Sequence, residues 1–294
     1  MRPFPIPIRA AADAEGEPLV VMPMPHEIAT FEMPRAPEPG PGRDVAGAGA
    51  VLADFVARLD LWSDAAMVDA AAPAVELIDL PPEALRVLNE ALGEGEVSVI
   101  VDDGPHSVRI QETVFAGVWR EQRVAADGSL RSDILRAAPI PPVVLERAAA
   151  AASPALRSVT DAQGAWPDGA MNLPPLLHEL QEAIDHSGPG VPAHVLNLTL
   201  LPLSSADNAA LDAVLDGGSV AMLSRGFGNC RISSTAARGV WRVQYFNTMQ
   251  TLILNTIEVV DVPAVALAAP EDLAETRSRL ASLVRWMGEP SVSA

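Results

Sequence analysis

The feature that most constrains this chain is that it repeats itself. Arg109-Ile110-x-x-Thr113-x-x-x-Gly117-Val118-Trp119-Arg120 returns as Arg231-Ile232-x-x-Thr235-x-x-x-Gly239-Val240-Trp241-Arg242, with seven of twelve positions identical. Upstream, Leu80-Pro81 matches Leu201-Pro202, and Leu88, Leu92, Gly95 and Val97 match Leu211, Leu215, Gly218 and Val220, so the offset moves only between 121 and 123. Register held over that distance, with a rare Trp placed identically in both copies, marks a duplicated unit. A period near 122 is too long for a solenoid and suits a duplicated domain.

Each copy can be read coarsely from its periodicity. In the second, residues 173–184 read as a helix with Leu176, Leu177, Leu180 and Ile184 on one face, stopped by Gly188-Pro189-Gly190. Residues 195–200 then read as a strand, and Ser204 or Ser205 can cap a helix over 206–215. Strands follow at 219–224, 229–235, 239–247 and 251–260. In the first copy the same order predicts helices at 49–61 and 82–92, and strands at 75–80, 96–102, 107–113, 114–124 and 130–136. The expected class is α+β: two tandem related repeats, each helix-strand-helix followed by an antiparallel strand run. The expected division is a Pro-rich N-terminal arm and linker at 1–44, a first repeat at 45–152 and a second at 171–294 that ends in a helix over 271–287. Pro or Gly at almost every second position of 33–43 makes that stretch an extended linker.

Charge and cysteine content exclude several functions. The chain has 38 acidic residues against 20 basic ones, a formal charge of -18, and every basic residue is Arg. Lysine chemistry, such as a Schiff base or a phosphate-loop lysine, is therefore ruled out. An acidic surface repels nucleic acid and anionic lipid, so the expected partner is basic and is neither a nucleic acid nor a membrane. Cys230 is the only cysteine, so the chain has neither a disulfide framework nor the thiolates for its own iron-sulfur cluster. The N-terminus lacks the uninterrupted apolar core of a secretory signal and no long charge-free apolar run follows, which points to the cytoplasm.

The densest local signal is Gly226-Phe227-Gly228-Asn229-Cys230-Arg231, a glycine-bracketed turn leading to a thiol and a guanidinium. A reactive Cys230 would need a His or carboxylate beside it; the first copy has Val108 at the matching place, which favours a buried thiol. His178, Glu182 and His186 have the spacing for metal ligands on one helix, but they also fit a solvated face opposite the leucines. His106, after Asp102-Asp103-Gly104-Pro105, reads as hairpin-turn chemistry. Gln244, Tyr245, Asn247 and Asn255 place polar groups on adjacent strands, either ending hairpins or lining a peptide-binding edge. Trp119 and Trp241 are expected as core anchors. No catalytic, cofactor-binding or metal-binding set emerges, and no cofactor is expected.

Met171-Asn172-Leu173-Pro174, then Gly226 to Thr235, Trp241-Arg242-Val243-Gln244-Tyr245-Phe246-Asn247 and Ile253-Leu254-Asn255-Thr256-Ile257-Glu258, together resemble the hydrogenase expression/formation proteins of the HupH/HyaF/HoxQ type. The N-terminal Phe4-Pro5-Ile6-Pro7 and Met24-Pro25-His26-Glu27-Ile28 with Phe31 look like that family's opening. The resemblance implies a non-enzymatic accessory protein or chaperone for maturation of a membrane-bound [NiFe] hydrogenase. The implied partners are the iron-sulfur small-subunit precursor, its twin-arginine signal peptide included, and other hydrogenase accessory proteins. It implies no catalytic residues. Candidate partner-binding residues are Gly226, Gly228, Asn229, Cys230, Arg231, Gln244, Tyr245, Asn247 and Asn255. The rival expectations are a cofactor-handling or redox enzyme using Cys230, and a scaffold between assembly factors.

Overall fold

The computed structural model describes residues 10–12, 18–20, 43–62, 72–150, 152–153, 155–158, 166–188, 190–225 and 229–288. The chain divides into two units, Met1–Glu32 and Met33–Ala294. In the first, β1 (Ala10–Ala12) and β2 (Pro18–Val20) pair as an antiparallel ribbon with Ala10 opposite Val20, where the sequence suggests only an extended arm.

The second unit begins with α1 (Val45–Leu61), β3 (Ala74–Glu76) and α2 (Pro82–Leu92). Four strands follow: β4 (Val97–Asp103), β5 (His106–Glu112), β6 (Val118–Ala125) and β7 (Leu130–Ala137). After α3 (Pro142–Ala150) the order returns as α4 (Leu173–Asp185), β8 (His194–Asn197) and α5 (Ser205–Leu215). Then come β9 (Val220–Ser224), β10 (Asn229–Ser234), β11 (Val240–Phe246) and β12 (Leu252–Val259), and α6 (Pro270–Gly288) ends the described chain.

All ten of these strands form one antiparallel sheet in the order β3-β7-β6-β5-β4-β9-β10-β11-β12-β8. The halves meet at β4 and β9, with Val99 opposite Met222. Equivalent strands thus lie at equal distances on either side of that seam, and a local two-fold axis passes between β4 and β9.

Strand alternation sorts the side chains onto two faces. On one, α1, α2 and α6 cover Val118, Leu135 and Ala137 of the first half, while α4 and α5 cover Val240, Ile257 and Val259 of the second. On the other, α3 packs Val144 over Val99, Val101, Val220 and Met222 at the seam.

Local chemistry explains the elements and their departures from expectation. Asp44 accepts a hydrogen bond from Gly47 N at 2.7 Å and starts α1 at Val45, ahead of the expected residue 49. Ser204 and Asp207 form a reciprocal capping box on α5. The strand expected over 114–124 begins only at Val118, because Thr113 Oγ1 both donates to Phe115 O and accepts from Phe115 N, each at 3.2 Å, folding 114–117 into a turn. The strand expected over 195–200 stops at Asn197, whose side chain accepts from Thr199 N at 3.0 Å and caps a 3-10 turn over Leu198–Leu200. Gly95 and Gly218 are needed for close approach. A Cβ would lie 2.2 Å from Thr113 O at the first and 1.9 Å from Ser234 O at the second.

Candidate partner-binding face

Most of the repeated motif builds the fold. Thr235 staples Ala237 as Thr113 staples Phe115, with Oγ1 to Ala237 O at 3.2 Å and Ala237 N to Oγ1 at 3.1 Å. Gly117 and Gly239 then take φ of +75° and +67°, which a side chain would strain. Trp119 and Trp241 are buried, and their indole N–H groups donate to Ala138 O at 2.9 Å and Val260 O at 3.1 Å. Arg120 grips both oxygens of Asp133 at 2.8 and 2.5 Å, and Arg242 holds Asp212 and Asn255.

Arg109 and Arg231, the first residues of the two motif copies, sit elsewhere: over the centre of the sheet, on the face that carries α1, α2, α4, α5 and α6. One row runs Arg109, Ile100, Ala221, Ser233 across β5, β4, β9 and β10. The adjacent row runs Gln111, Ser98, Leu223, Arg231 and on to Gln244. The local two-fold exchanges the rows, pairing Arg109 with Arg231, Gln111 with Ser233, Ser98 with Ala221 and Ile100 with Leu223. The apolar patches under α1 and α2 on one side, and under α4 and α5 on the other, flank this strip. Arg109 and Ala221 are exposed, and Ser98, Ile100, Gln111, Arg231, Ser233 and Gln244 are half-buried. The Arg231 guanidinium lies over the Phe246 ring, 4.5 Å from its centroid, and burial lowers its pKa from the ordinary arginine value. This strip has cations at two-fold-related positions, amides and hydroxyls between them and a short apolar floor. It can dock a polypeptide surface.

The residues singled out from sequence fall on both faces of the sheet. Asn229, Arg231 and Gln244 share the strip's face, together with Asn255, whose Oδ1 accepts from Arg242 Nε at 3.2 Å and whose N donates to Thr199 Oγ1 at 2.8 Å. Cys230 and Tyr245 form a cross-strand pair on the opposite face. Asn247 shapes the β11–β12 turn, its Oδ1 accepting from Met249 N and Thr251 N, both at 2.9 Å. Gly226 and Gly228 lie outside the described residues.

Burial pushes the Cys230 thiol up to about 11, outweighing its hydrogen bond with Tyr245. Burial, with the Cys230 contact, pushes Tyr245 up to about 12, and burial raises Glu258 nearby. A thiol in that state is protonated at neutral pH and packs as a small apolar group. His178 and Glu182 of α4 are exposed, as is His186 at its C-terminal cap, whose Nδ1 lies 2.7 Å from Glu182 O. Among the described residues no group of three or more His, Cys, Asp or Glu could hold a metal ion, and no helix is long and apolar enough to cross a membrane.

Sequence reasoning missed Arg109, Gln111, Ser98 and Ser233. Arg109 opens the first copy of the motif, so the repeat itself carried the signal. Only the β4–β9 pairing brings it onto one surface with Arg231.

Comparison with known proteins gives this face a context. The model of the HupH hydrogenase expression protein C-terminal conserved region matches the chain twice, at residues 45–162 and 170–287. The chain belongs to the HupH family. The hydrogenase expression/formation protein HoxQ of Cupriavidus necator is 41% identical over 291 residues, 98% of this HupH-family chain and 99% of HoxQ. The hydrogenase-1 operon protein HyaF of Escherichia coli is 35% identical over 74% of each chain. A solved structure of the hydrogenase expression protein HupH from Thiobacillus denitrificans matches with 31% identity and a TM-score of 0.35, covering 37% of this chain and 90% of that one.

Proposed function

We propose that this HupH-family chain is an accessory factor in hydrogenase maturation that binds the iron-sulfur small-subunit precursor in the cytoplasm and holds it during assembly. The observation that carries this reading is the strip at the centre of the sheet, a broad, polar, partly exposed surface that suits holding a polypeptide. The names of its relatives point to hydrogenase expression and formation.

Two parts of the surface divide the work. The -18 charge attracts the basic start of a twin-arginine signal peptide over long range. The strip, with Arg109 and Arg231, engages carboxylate and carbonyl groups of the mature part. The protonated state of Cys230 argues against the redox-enzyme alternative.

The test is binding of purified small-subunit precursor, with and without its signal peptide, to this chain alone. The precursor should bind, with affinity falling as salt rises past about 0.1 M, where the screening length is ~10 Å. Removing the signal peptide should weaken binding and reduce its salt dependence. No binding of either form would overturn the proposal.

A further inference from the structure

The last hairpins of the two repeats share a backbone but not a surface chemistry. The β6–β7 and β11–β12 turns have the same form: Gly128 N donates to Ala125 O at 2.9 Å and Gln250 N to Asn247 O at 3.0 Å, with φ of +81° and +61°. Both hairpins also break register at the same place, between Arg123 and Val124 in one and between Tyr245 and Phe246 in the other. The offset of 122 therefore carries Asp127 to Met249 and Arg131 to Ile253, and the offset of 121 at Leu80-Pro81 carries Asp79 to Leu200.

In the first repeat these positions are solvated charges: Asp79, Asp127 and Arg131 are exposed, and Arg131 pairs with Asp127 at 3.7 Å. In the second they are large apolar side chains facing water, with Leu200 79%, Met249 81% and Ile253 56% exposed. The 3-10 turn holds Leu200 alongside the start of β12, where Asn255 N donates to Thr199 Oγ1 at 2.8 Å. Asn172 Nδ2 donates to Pro202 O at 2.8 Å, which brings exposed Met171 to the same corner beside Leu201. The segments that build this corner, 195–206 and 243–257, contain no charged side chain, whereas their counterparts at 74–85 and 121–135 carry eight. The backbone accepts charge at these positions, so folding does not call for the apolar residues. An apolar patch of that kind marks a binding surface.

We infer that this corner docks the apolar stretch of the precursor's signal peptide. Such a peptide places a basic start before an apolar run of about 7–15 residues. The chain meets the two needs in different places. Its charge of -18 attracts the basic start, while the uncharged corner covers the apolar run without burying a carboxylate. Two of the five side chains, Met171 and Met249, are unbranched and adaptable, which suits apolar runs of varied sequence. Charge also selects this occupant over a second copy, because two chains at -18 repel one another. The partner's identity rests on the function proposed above, but the corner is a different surface from the strip of Arg109 and Arg231.

The test gives the second repeat the first repeat's residues, Leu200→Asp with Ile253→Arg, in the full chain. This exchange leaves the net charge unchanged, so a loss of binding reports apolar contact and not the long-range field. Purified precursor should bind the double variant about tenfold or more weakly than the native chain, while precursor lacking its signal peptide binds both alike. Met249→Asp alone, which copies Asp127 onto an exposed turn, should weaken precursor binding in the same sense and is the decisive variant if the double one melts lower. Equal affinity of the native chain and both variants for the precursor would overturn the inference and leave the strip's role standing. Failure of the precursor to bind the native chain would overturn both. Equal weakening of the form without its signal peptide would overturn the inference by giving the corner to the mature part. A native dimer that the double variant turns monomeric, with precursor affinity unchanged, would overturn it by making a second copy the occupant.

Discussion

Glu112 is 8% exposed, and it is a carboxyl that the repeat does not need, since the second copy has Ser234 in its place. Burial pushes it up to about 7, against a hydrogen bond from Gly117 N that favours the charged form and with Glu96 and Asp272 adding repulsion. A carboxyl raised on folding costs stability as pH rises, because the unfolded chain ionises first. The cost grows between the unfolded value near 4.5 and about 7 and is complete above it. Its ceiling is about 3 kcal/mol. Glu112→Gln keeps the acceptor for Gly117 N, so it should raise the melting temperature at pH 8, leave it nearly unchanged at pH 4 and flatten the profile between; an unchanged profile would contradict this reading. Cys230 makes the opposite kind of prediction. With its thiol near 11, alkylation by iodoacetamide should be slow at pH 7.5, and Cys230→Ala should leave partner binding intact and cost about 1–2 kcal/mol of stability. Rapid labelling at neutral pH would show a reactive thiol.

At the scale of elements, Asp207 ties two helices together. It is fully buried at the start of α5, and burial alone would raise it, but bonds from Ser204, and from Asn172 N and Leu173 N at the start of α4, bring it below the ordinary range. That stabilisation is present above the unfolded value near 3.8 and is lost as pH falls through the folded one. Asp207→Ala should cost about 2–4 kcal/mol and speed amide exchange in the first turns of both helices. Exchange accelerated in α5 alone would show that the bridge to α4 contributes little. Ser204 followed by Asp207 makes this cap legible in the sequence, as the glycine after Leu92 makes the end of α2. The turn at 114–117 is not legible, because Val114 and Phe115 have strand propensity and only the Thr113 staple bends them. Nor is α3: its alanines give a hydrophobic stripe little contrast, and it packs across a seam that forms only in the folded state. The site shows the same split. Arg231, Gln244 and Asn255 can be picked out as polar groups on neighbouring strands, but alternation sends Cys230 and Tyr245 to the other face, and Arg109 joins only through the pairing of β4 with β9.

At the largest scale, the second unit is a pseudo-dimer within one chain. If the seam between β4 and β9 stands in for an ancestral interface, residues 166–288 expressed alone expose the β9 edge with its full row of unpaired backbone groups. That fragment should self-associate through β9 or aggregate, as read by sedimentation; a stable, well-folded monomer would contradict the view that the seam completes each half. The same two-fold places Arg109 and Arg231 across the strip from one another, where we propose that the small-subunit precursor is held. The direct measurement is the affinity of purified precursor for the native chain and for the Arg109→Ala, Arg231→Ala double variant, with melting temperatures recorded for both. Melting temperatures should be similar and binding weakened about tenfold or more. An unchanged affinity in a folded double variant would contradict it.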